Sequence, residues 1–367
     1  MITLQGPPGP RSGRSMSEIG VIRGGALLLH GERIEAVGPA SRIENLAGAR
    51  HADEVDAAGG IVMPGFVDTE ASISPAACCG GAHRLRVSSH RKLSGEGLTL
   101  LRQYASYGTT FTGLAARSAG DARMSAKLLK VQGSLEHTAT RIRDIAILPE
   151  DWAGVGESWF RNLKARFHAG MIEVTLEPHH GAAELRTLSH ISSMAADEGI
   201  SIRFLVHGRL RPETLRHAVS SMPVAISDHG AEELLKASEF TQPSSVLSFT
   251  ASSHVAARPE IIRLLLNRSC ALSFSCGQTN MQDALFSART HFGLSAEEAI
   301  TAATYNGACG LDAAGTTGSL EPGKFADLII LAVPDYRDTG LRIGASDVTL
   351  SMRGGMTVFE RVPLNPD

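Results

Sequence analysis

Short apolar runs alternate along the chain with longer stretches in which apolar residues recur every three or four positions. Segments 183–198 and 258–267 show this helical spacing. The short runs have the length of β-strands, and six of them are Thr109–Leu114, Ile145–Leu148, Met171–Leu176, Ile202–Val206, Val224–Ile226 and Ala271–Phe274. Near-continuous apolar strands separated by helices predict a parallel sheet that is covered on both faces.

The alternation and the length of the chain together favour a closed barrel over an open sheet. A (β/α)8 TIM barrel takes about 250 residues, so a chain of 367 residues has room for one barrel and a small second domain. Ser295 and Glu298 have the spacing of a capping box, which predicts a helix that begins at about residue 296. Ser244-Ser245 and Ser252-Ser253 lie in a serine-rich patch, which predicts a loop rather than a signal.

Composition excludes several classes of partner. The formal charge is −3, from 35 basic and 38 acidic residues, and no basic stripe is present, so nucleic acid is not an expected partner. No apolar run approaches the roughly 20 residues that cross a bilayer. Gly6–Pro10 is turn-like rather than part of a secretory leader. The five cysteines are an odd number, which does not indicate a disulfide framework, and a cytoplasmic location is expected.

Two segments carry a resemblance to a known family. Residues 61–69 read Ile-Val-Met-Pro-Gly-Phe-Val-Asp-Thr, which resembles the first barrel strand of the amidohydrolase superfamily. Gly318–Leu331 is similar to the segment by which the chain re-enters that family's small β domain. With Pro334–Arg337, the continuation looks most like the imidazolonepropionases, which hydrolyse the imidazolone ring in histidine breakdown.

The resemblance implies a domain organisation and an assembly. It implies a small discontinuous β-sandwich domain built from residues 1–63 and 317–367, and a barrel at residues 64–316. Because related families often dimerise through barrel helices, a homodimer is expected by resemblance. The expected ligand is a small molecule.

The residues that follow three of the barrel strands depart from the family's pattern. After the first strand the family has His-x-His, which supplies two metal ligands, whereas this chain has Glu70, Ala71 and Ser72. Three residues beyond the fifth-strand histidine, imidazolonepropionases carry a catalytic glutamate, and this chain has Leu210. After the eighth strand, Ser275 stands at or near the position of the family's aspartate, which is both ligand and base.

Other residues at the predicted rim could rebuild a metal site. His207 after the fifth strand and Asp228-His229 after the sixth match the family's pattern, and Glu177 and His179 follow the fourth strand. A divalent metal usually needs three or more protein ligands. His207, His179 and Glu177 would supply them for zinc or iron. The alternative is that the histidines are inherited, hydrogen-bond to neighbouring groups and hold no cofactor.

Further candidates for catalysis and substrate binding each have a plainer interpretation. Glu70 is a replacement ligand or general base, or else a solvated carboxylate at the barrel mouth. Cys276 is a nucleophile with a histidine as its base, or a buried thiol that packs as a small hydrophobic group. Arg84 or Arg86 lies where imidazolonepropionases place a substrate-binding arginine and would hold a carboxylate bidentately, or both lie on the surface.

Three functions remain open from the sequence. The first is an imidazolonepropionase-like hydrolase of cyclic C–N bonds with a degenerate or rebuilt metal site. The second is a pseudoenzyme that binds a ligand or stabilises a partner. The third is a metal-free enzyme that uses His207 or His229 as acid and base, with Cys276 or Glu70. Fold alone does not choose between them, because the same barrel hosts many activities.

Overall fold

The computed structural model describes residues 1–71, 101–116, 140–148, 155–167, 170–177, 182–206, 224–226, 246–251, 259–277 and 279–361. Its helices are α1 (Ala40–Ile43), α2 (Glu157–Phe167), α3 (Ala182–Asp197), α4 (Pro259–Asn267), α5 (Met281–Thr290), α6 (Ala296–Ala303) and α7 (Tyr305–Gly310). Short 3₁₀ turns lie at Gly13–Ser17, Ala47–His51 and Tyr336–Asp338. Within these ranges, no helix combines the length and the apolar character that a membrane span requires.

Eight parallel strands form the main sheet. In chain order they are β4 (Phe66–Ala71), β5 (Thr109–Ala116), β6 (Arg141–Ile147), β7 (Met171–Leu176), β8 (Ser201–Val206), β9 (Val224–Ile226), β10 (Val246–Thr250) and β11 (Ala271–Ser275). Each strand pairs with the next along the chain, and a parallel bridge between Ala71 and Gly277 joins the first strand to the end of the last. This arrangement confirms the prediction of an α/β, TIM-barrel-like fold.

The structure places strands over all six segments that the apolar pattern predicts, and of the two other barrel strands, β4 matches the resemblance and β10 was not predicted. β10 lies between the serine pairs at 244–245 and 252–253, and those pairs, predicted to be in a loop, lie outside the described residues. Val246, Leu247 and Phe249 are buried, while the hydroxyl of Ser248 bonds that of Ser273 at 2.6 Å. A buried serine that finds a partner on the neighbouring strand gives no apolar signal in the sequence.

Gly65 separates the small sheet from the barrel. β3 (Ile61–Pro64) belongs to a second sheet, and β4 begins one residue after this glycine. A Cβ atom at Gly65 would lie 2.1 Å from Oγ1 of Thr110 on the adjacent barrel strand. Only glycine leaves room for the Thr110 side chain at this point, which explains its position in the Pro-Gly-Phe sequence.

Helix α7 closes the amino-terminal end of the barrel. Ala308 and Leu311 pack against Val67, Phe111 and Ile145 from the first three strands. The guanidinium of Arg143 donates to the carbonyl of Leu311 at 3.1 Å and to that of Asp312 at 2.8 Å. With this end filled, space for a ligand is expected at the carboxyl ends of the strands, where barrels of this kind place their chemistry.

Both ends of the chain contribute to a four-stranded antiparallel sheet. Its order is β14 (Met356–Glu360), β13 (Val348–Arg353), β12 (Leu328–Leu331) and β3, and a separate hairpin is formed by β1 (Gly25–His30) and β2 (Arg33–Pro39). Ile34 of the hairpin shares one hydrophobic cluster with Leu328 and Met352 of the larger sheet.

Helix α6 begins at residue 296 as predicted, because the hydroxyl of Ser295 accepts from the amide of Glu298 at 3.2 Å.

Candidate functional site at the carboxyl ends of the barrel strands

The side chain of Arg203 crosses the interior of the barrel. Arg203 lies on the fifth barrel strand, and its Nη1 donates to the carbonyl of Thr69 at 2.8 Å, while its Nη2 bonds Glu70 at 3.1 Å. Thr69 and Glu70 are on the first strand, which lies opposite the fifth in a ring of eight strands. A side chain that joins opposite strands must pass through the centre of the ring.

Glu173 completes a buried charge cluster around this guanidinium. It is the parallel neighbour of Arg203 on the fourth strand, and its Oε2 accepts from Nε at 3.0 Å and from Nη2 at 2.5 Å. The side chains of Arg203 and Glu173 are 2% and 0% exposed, whereas that of Glu70 is 26% exposed. A buried charge is tolerated only when it is paired and hydrogen-bonded, so these three residues form one unit, which we call the Arg203 cluster.

Asp68 joins the first strand to the last. Its Oδ1 accepts from the backbone amides of Glu70 and Cys276, both at 3.2 Å, and the Cys276 thiol donates to its Oδ2 at 2.9 Å. Burial raises the pKa of Asp68 to about 6, and the nearby charge of Glu70 acts in the same direction. Burial likewise raises the pKa of the Cys276 thiol well above its usual range, with Asp68 adding to the effect. The thiol is therefore a protonated hydrogen-bond donor in this arrangement.

The raised pKa of Asp68 predicts how stability depends on pH. The folded protein binds the Asp68 proton more tightly than the unfolded chain, whose value is near 3.8. The unfolding free energy therefore falls as pH rises from about 4 to about 6, by up to about 3 kcal/mol from this group. In Asp68→Asn this contribution is expected to vanish. Urea unfolding of both proteins between pH 4 and 7.5 measures the difference, and parallel pH curves would contradict the assignment.

The structure locates some of the residues that the sequence nominates and leaves others undescribed. Glu70 lies at the end of β4 in an ion pair with Arg203, and Glu177 follows β7 at the same rim, half-buried. Cys276 is fully buried against Asp68, which favours the interpretation of a structural thiol. The remaining candidates lie outside the described residues, and they are Arg84, Arg86, His179, His207, Asp228 and His229.

The sequence analysis missed Arg203, Glu173 and Asp68 as parts of the site. A signal was present, because Arg203 and Glu173 each interrupt a strand whose other residues are almost all apolar. Charged residues are almost never fully buried unless they are paired. One basic and one acidic residue at matching positions of neighbouring buried strands therefore indicate an internal ion pair.

The resemblance implies a metal ion after the barrel strands, and the described residues do not fit it. The carboxylate of Glu70, at the first ligand position, is bonded to Arg203, and the hydroxyl of Ser275, at or near the aspartate position, donates to Thr250 at 3.3 Å. Across the described ranges, no group of three or more histidine, cysteine, aspartate or glutamate side chains is placed to hold a metal. A rebuilt site of His179, His207 and Glu177 stays a prediction.

Comparison with known proteins agrees with the fold and with the resemblance. A model of the Amidohydrolase family matches residues 225–357. The chain is 26% identical to an imidazolonepropionase of Solibacter usitatus, over 98% of this chain and 97% of the relative. It is 25% identical to that of Chloroflexus aggregans, over 98% and 96%. The chain therefore resembles the amidohydrolase superfamily. Within the superfamily it resembles imidazolonepropionase.

Solved structures support the same fold at lower identity. Ochratoxinase of A. niger superposes with a TM-score of 0.71 at 15% identity, covering 98% of this chain and 94% of that one. Guanine deaminase of E. coli superposes with a TM-score of 0.64 at 16% identity, covering 98% and 97%. At such identity the likeness shows the TIM-barrel-like fold alone, and it says nothing about the substrate of this chain.

Proposed function

We propose that this protein is a hydrolase that opens a cyclic C–N bond in a small molecule, as an imidazolonepropionase does. The observation that carries the proposal is the similarity to imidazolonepropionases over nearly the whole length of both chains. The barrel supports it, because helix α7 fills the amino-terminal end and leaves the carboxyl ends of the strands for a ligand.

Ring opening by hydrolysis makes three chemical demands. Water must be deprotonated as it attacks the carbonyl carbon, negative charge on the carbonyl oxygen must be stabilised, and the nitrogen must receive a proton as the C–N bond breaks. In this proposal His229 accepts the proton from water, and His207 returns one to the nitrogen. Arg84 or Arg86 holds the substrate carboxylate as a bidentate partner. Glu70 is assigned to the Arg203 cluster rather than to metal binding or proton transfer.

A hydrolysis assay tests this proposal. Imidazolonepropionate is the first substrate to be tested, and hydantoins, dihydropyrimidines and lactams that carry a carboxylate come next. Loss of ultraviolet absorbance measures ring opening. His207→Ala is expected to lower kcat/KM by about 100-fold or more. His291→Ala is the matched control, because His291 is exposed beyond the end of α5, and it is expected to leave kcat/KM within about twofold. Absence of turnover on the whole panel would contradict the proposal.

The Arg203 cluster favours a second candidate function, a barrel that binds a small molecule without turning it over. Glu70, at the position of the family's first metal ligand, is in an ion pair with Arg203, so one of the family's expected metal ligands is missing. Isothermal calorimetry with the same panel separates the two functions. Binding with no product after prolonged incubation indicates a ligand-binding pseudoenzyme, whereas product formation indicates the hydrolase. A metal-free enzyme is indicated by turnover that persists after treatment with a chelator.

The domain organisation, the assembly and the location of the protein form part of the same proposal. Residues 1–63 and 317–367 would make up a small β-sandwich domain, with the barrel at residues 64–316. The shared hydrophobic cluster of Ile34, Leu328 and Met352 supports this division. A cytoplasmic homodimer is the expected assembly, and analytical ultracentrifugation measures its mass.

A further inference from the structure

We propose that the guanidinium of Arg203 is a permanent internal cation that takes the place of a divalent metal ion at the centre of this barrel. A consequence is that removing it leaves an oxygen-lined site that takes up a divalent cation. The proposal concerns the interior of the barrel at Glu70. It is independent of the proposed activity, because metal binding and stability test it without any substrate.

The geometry around one nitrogen atom carries the proposal. Nη2 of Arg203 is bonded at the same time to Glu70 at 3.1 Å and to Glu173 at 2.5 Å. A cation that replaced this nitrogen would therefore meet two carboxylates from different strands. The carbonyl of Thr69 accepts from the other terminal nitrogen, Nη1, at 2.8 Å. Carboxylate and carbonyl oxygens suit a hard divalent cation such as Mn²⁺.

The charges require some cation at this point. Glu173 is fully buried, and Glu70 is only a quarter exposed. Two carboxylates that converge in a low-dielectric interior repel each other unless a positive charge lies between them. Arg203 supplies that charge from within the chain, and it differs from a metal in being covalently fixed. A chelator cannot remove it, and a guanidinium keeps its charge at every physiological pH.

The position of the cluster connects it with the departure from the family's pattern. Glu70 stands where the family's first metal-binding histidine is expected, and Arg203 reaches it from the opposite side of the ring. A neutral histidine ligand favours a metal ion, whereas a carboxylate at that point can equally be satisfied by an arginine. In this proposal one change explains two features, the presence of Glu70 in place of the expected histidine and the presence of Arg203. The change is that the guanidinium of Arg203 takes the place of the metal ion.

Substitution of Arg203 tests the exchange directly. In Arg203→Met the side chain keeps much of its length and loses its charge, so the variant is expected to be less stable and to bind about one Mn²⁺ per chain. Loss of the free Mn²⁺ signal in electron paramagnetic resonance measures the binding. Addition of 1 mM Mn²⁺ is expected to raise its melting temperature by about 3 °C or more. In the wild-type protein the Arg203 cluster is expected to bind no Mn²⁺, so Mn²⁺ is not expected to raise the melting temperature through these residues.

Two further variants keep the test decisive. Arg203→Met combined with Glu173→Gln lacks one of the two carboxylates, and it is expected to lose the Mn²⁺ uptake and the rise in melting temperature. Arg203→Gln is a polar alternative if the methionine variant folds poorly, and it is expected to gain Mn²⁺ in the same way. The proposal is overturned if both single variants bind no more Mn²⁺ than the wild type. It is also overturned if both remain unfolded with Mn²⁺ present, or if uptake survives Glu173→Gln.

Discussion

Glu173→Ala is expected to lower the unfolding free energy by about 3–5 kcal/mol, one of the largest effects of any single substitution in the barrel. Glu173 is fully buried and holds two nitrogens of Arg203. Its removal leaves the guanidinium in the interior with Glu70 as its remaining carboxylate within the Arg203 cluster. Because domains are stable by only about 5–15 kcal/mol, the variant is expected to be marginally folded. Urea unfolding followed by circular dichroism measures the change.

A surface ion pair provides the matched control for this substitution. Glu157 faces Arg161 one turn along α2 at 3.8 Å, with the two side chains 79% and 66% exposed. Exposed pairs of this kind contribute about 0.3–0.5 kcal/mol, so Glu157→Ala is expected to have little effect. A loss below about 1 kcal/mol in Glu173→Ala, similar to the surface variant, would mean that Arg203 is not held as a buried charge.

Phe274→Ala is expected to destabilise the protein by about 3–5 kcal/mol, because it opens a cavity in the fully packed core. Phe274 is 0% exposed and lies on β11, directly before Ser275. Its ring is 5.9 Å from that of Phe249 on β10, which in turn contacts Phe292 at 5.3 Å. These contacts join the last two barrel strands to each other and to the turn after α5.

Phe274→Leu separates lost packing from a general disruption of the strand. Leucine keeps a large apolar side chain at the same position, so its expected cost is about 1–1.5 kcal/mol. Thermal unfolding of the wild type and the two variants gives the comparison. Equal losses in the alanine and leucine variants would contradict the cavity explanation, and a small loss in both would place Phe274 outside the core.

The sequence predicts the barrel because barrel strands are buried on both faces and therefore leave a continuous apolar signal. Thr109–Leu114 and Met171–Leu176 are examples, and the structure has strands at both places. β10 escapes the pattern because serine residues lie inside and beside it. Its place in the sheet depends on contacts with strands that are distant in sequence, such as the bond between Ser248 and Ser273.

The candidate site is less predictable than the fold, since its residues meet only across the closed ring. The sequence identifies Glu70 as a departure from the family's pattern, but it cannot show that Arg203 reaches it from the opposite strand. In the same way, the sequence offers the thiol of Cys276 as a candidate nucleophile, and only the structure shows that the thiol bonds Asp68. Local patterns carry no information about such contacts, because the partners are 133 and 208 residues apart.

The metal content of wild-type protein and Glu70→Gln, compared by inductively coupled plasma mass spectrometry, tests the central claim most directly. That claim, made in our proposal, is that this barrel has an arginine, in place of a metal ion, beside Glu70 at the end of its first strand. We predict that the two proteins carry the same amount of zinc, iron and manganese, whatever that amount is. About one equivalent of metal in the wild type that is lost in Glu70→Gln would show that Glu70 is a metal ligand and would contradict the account.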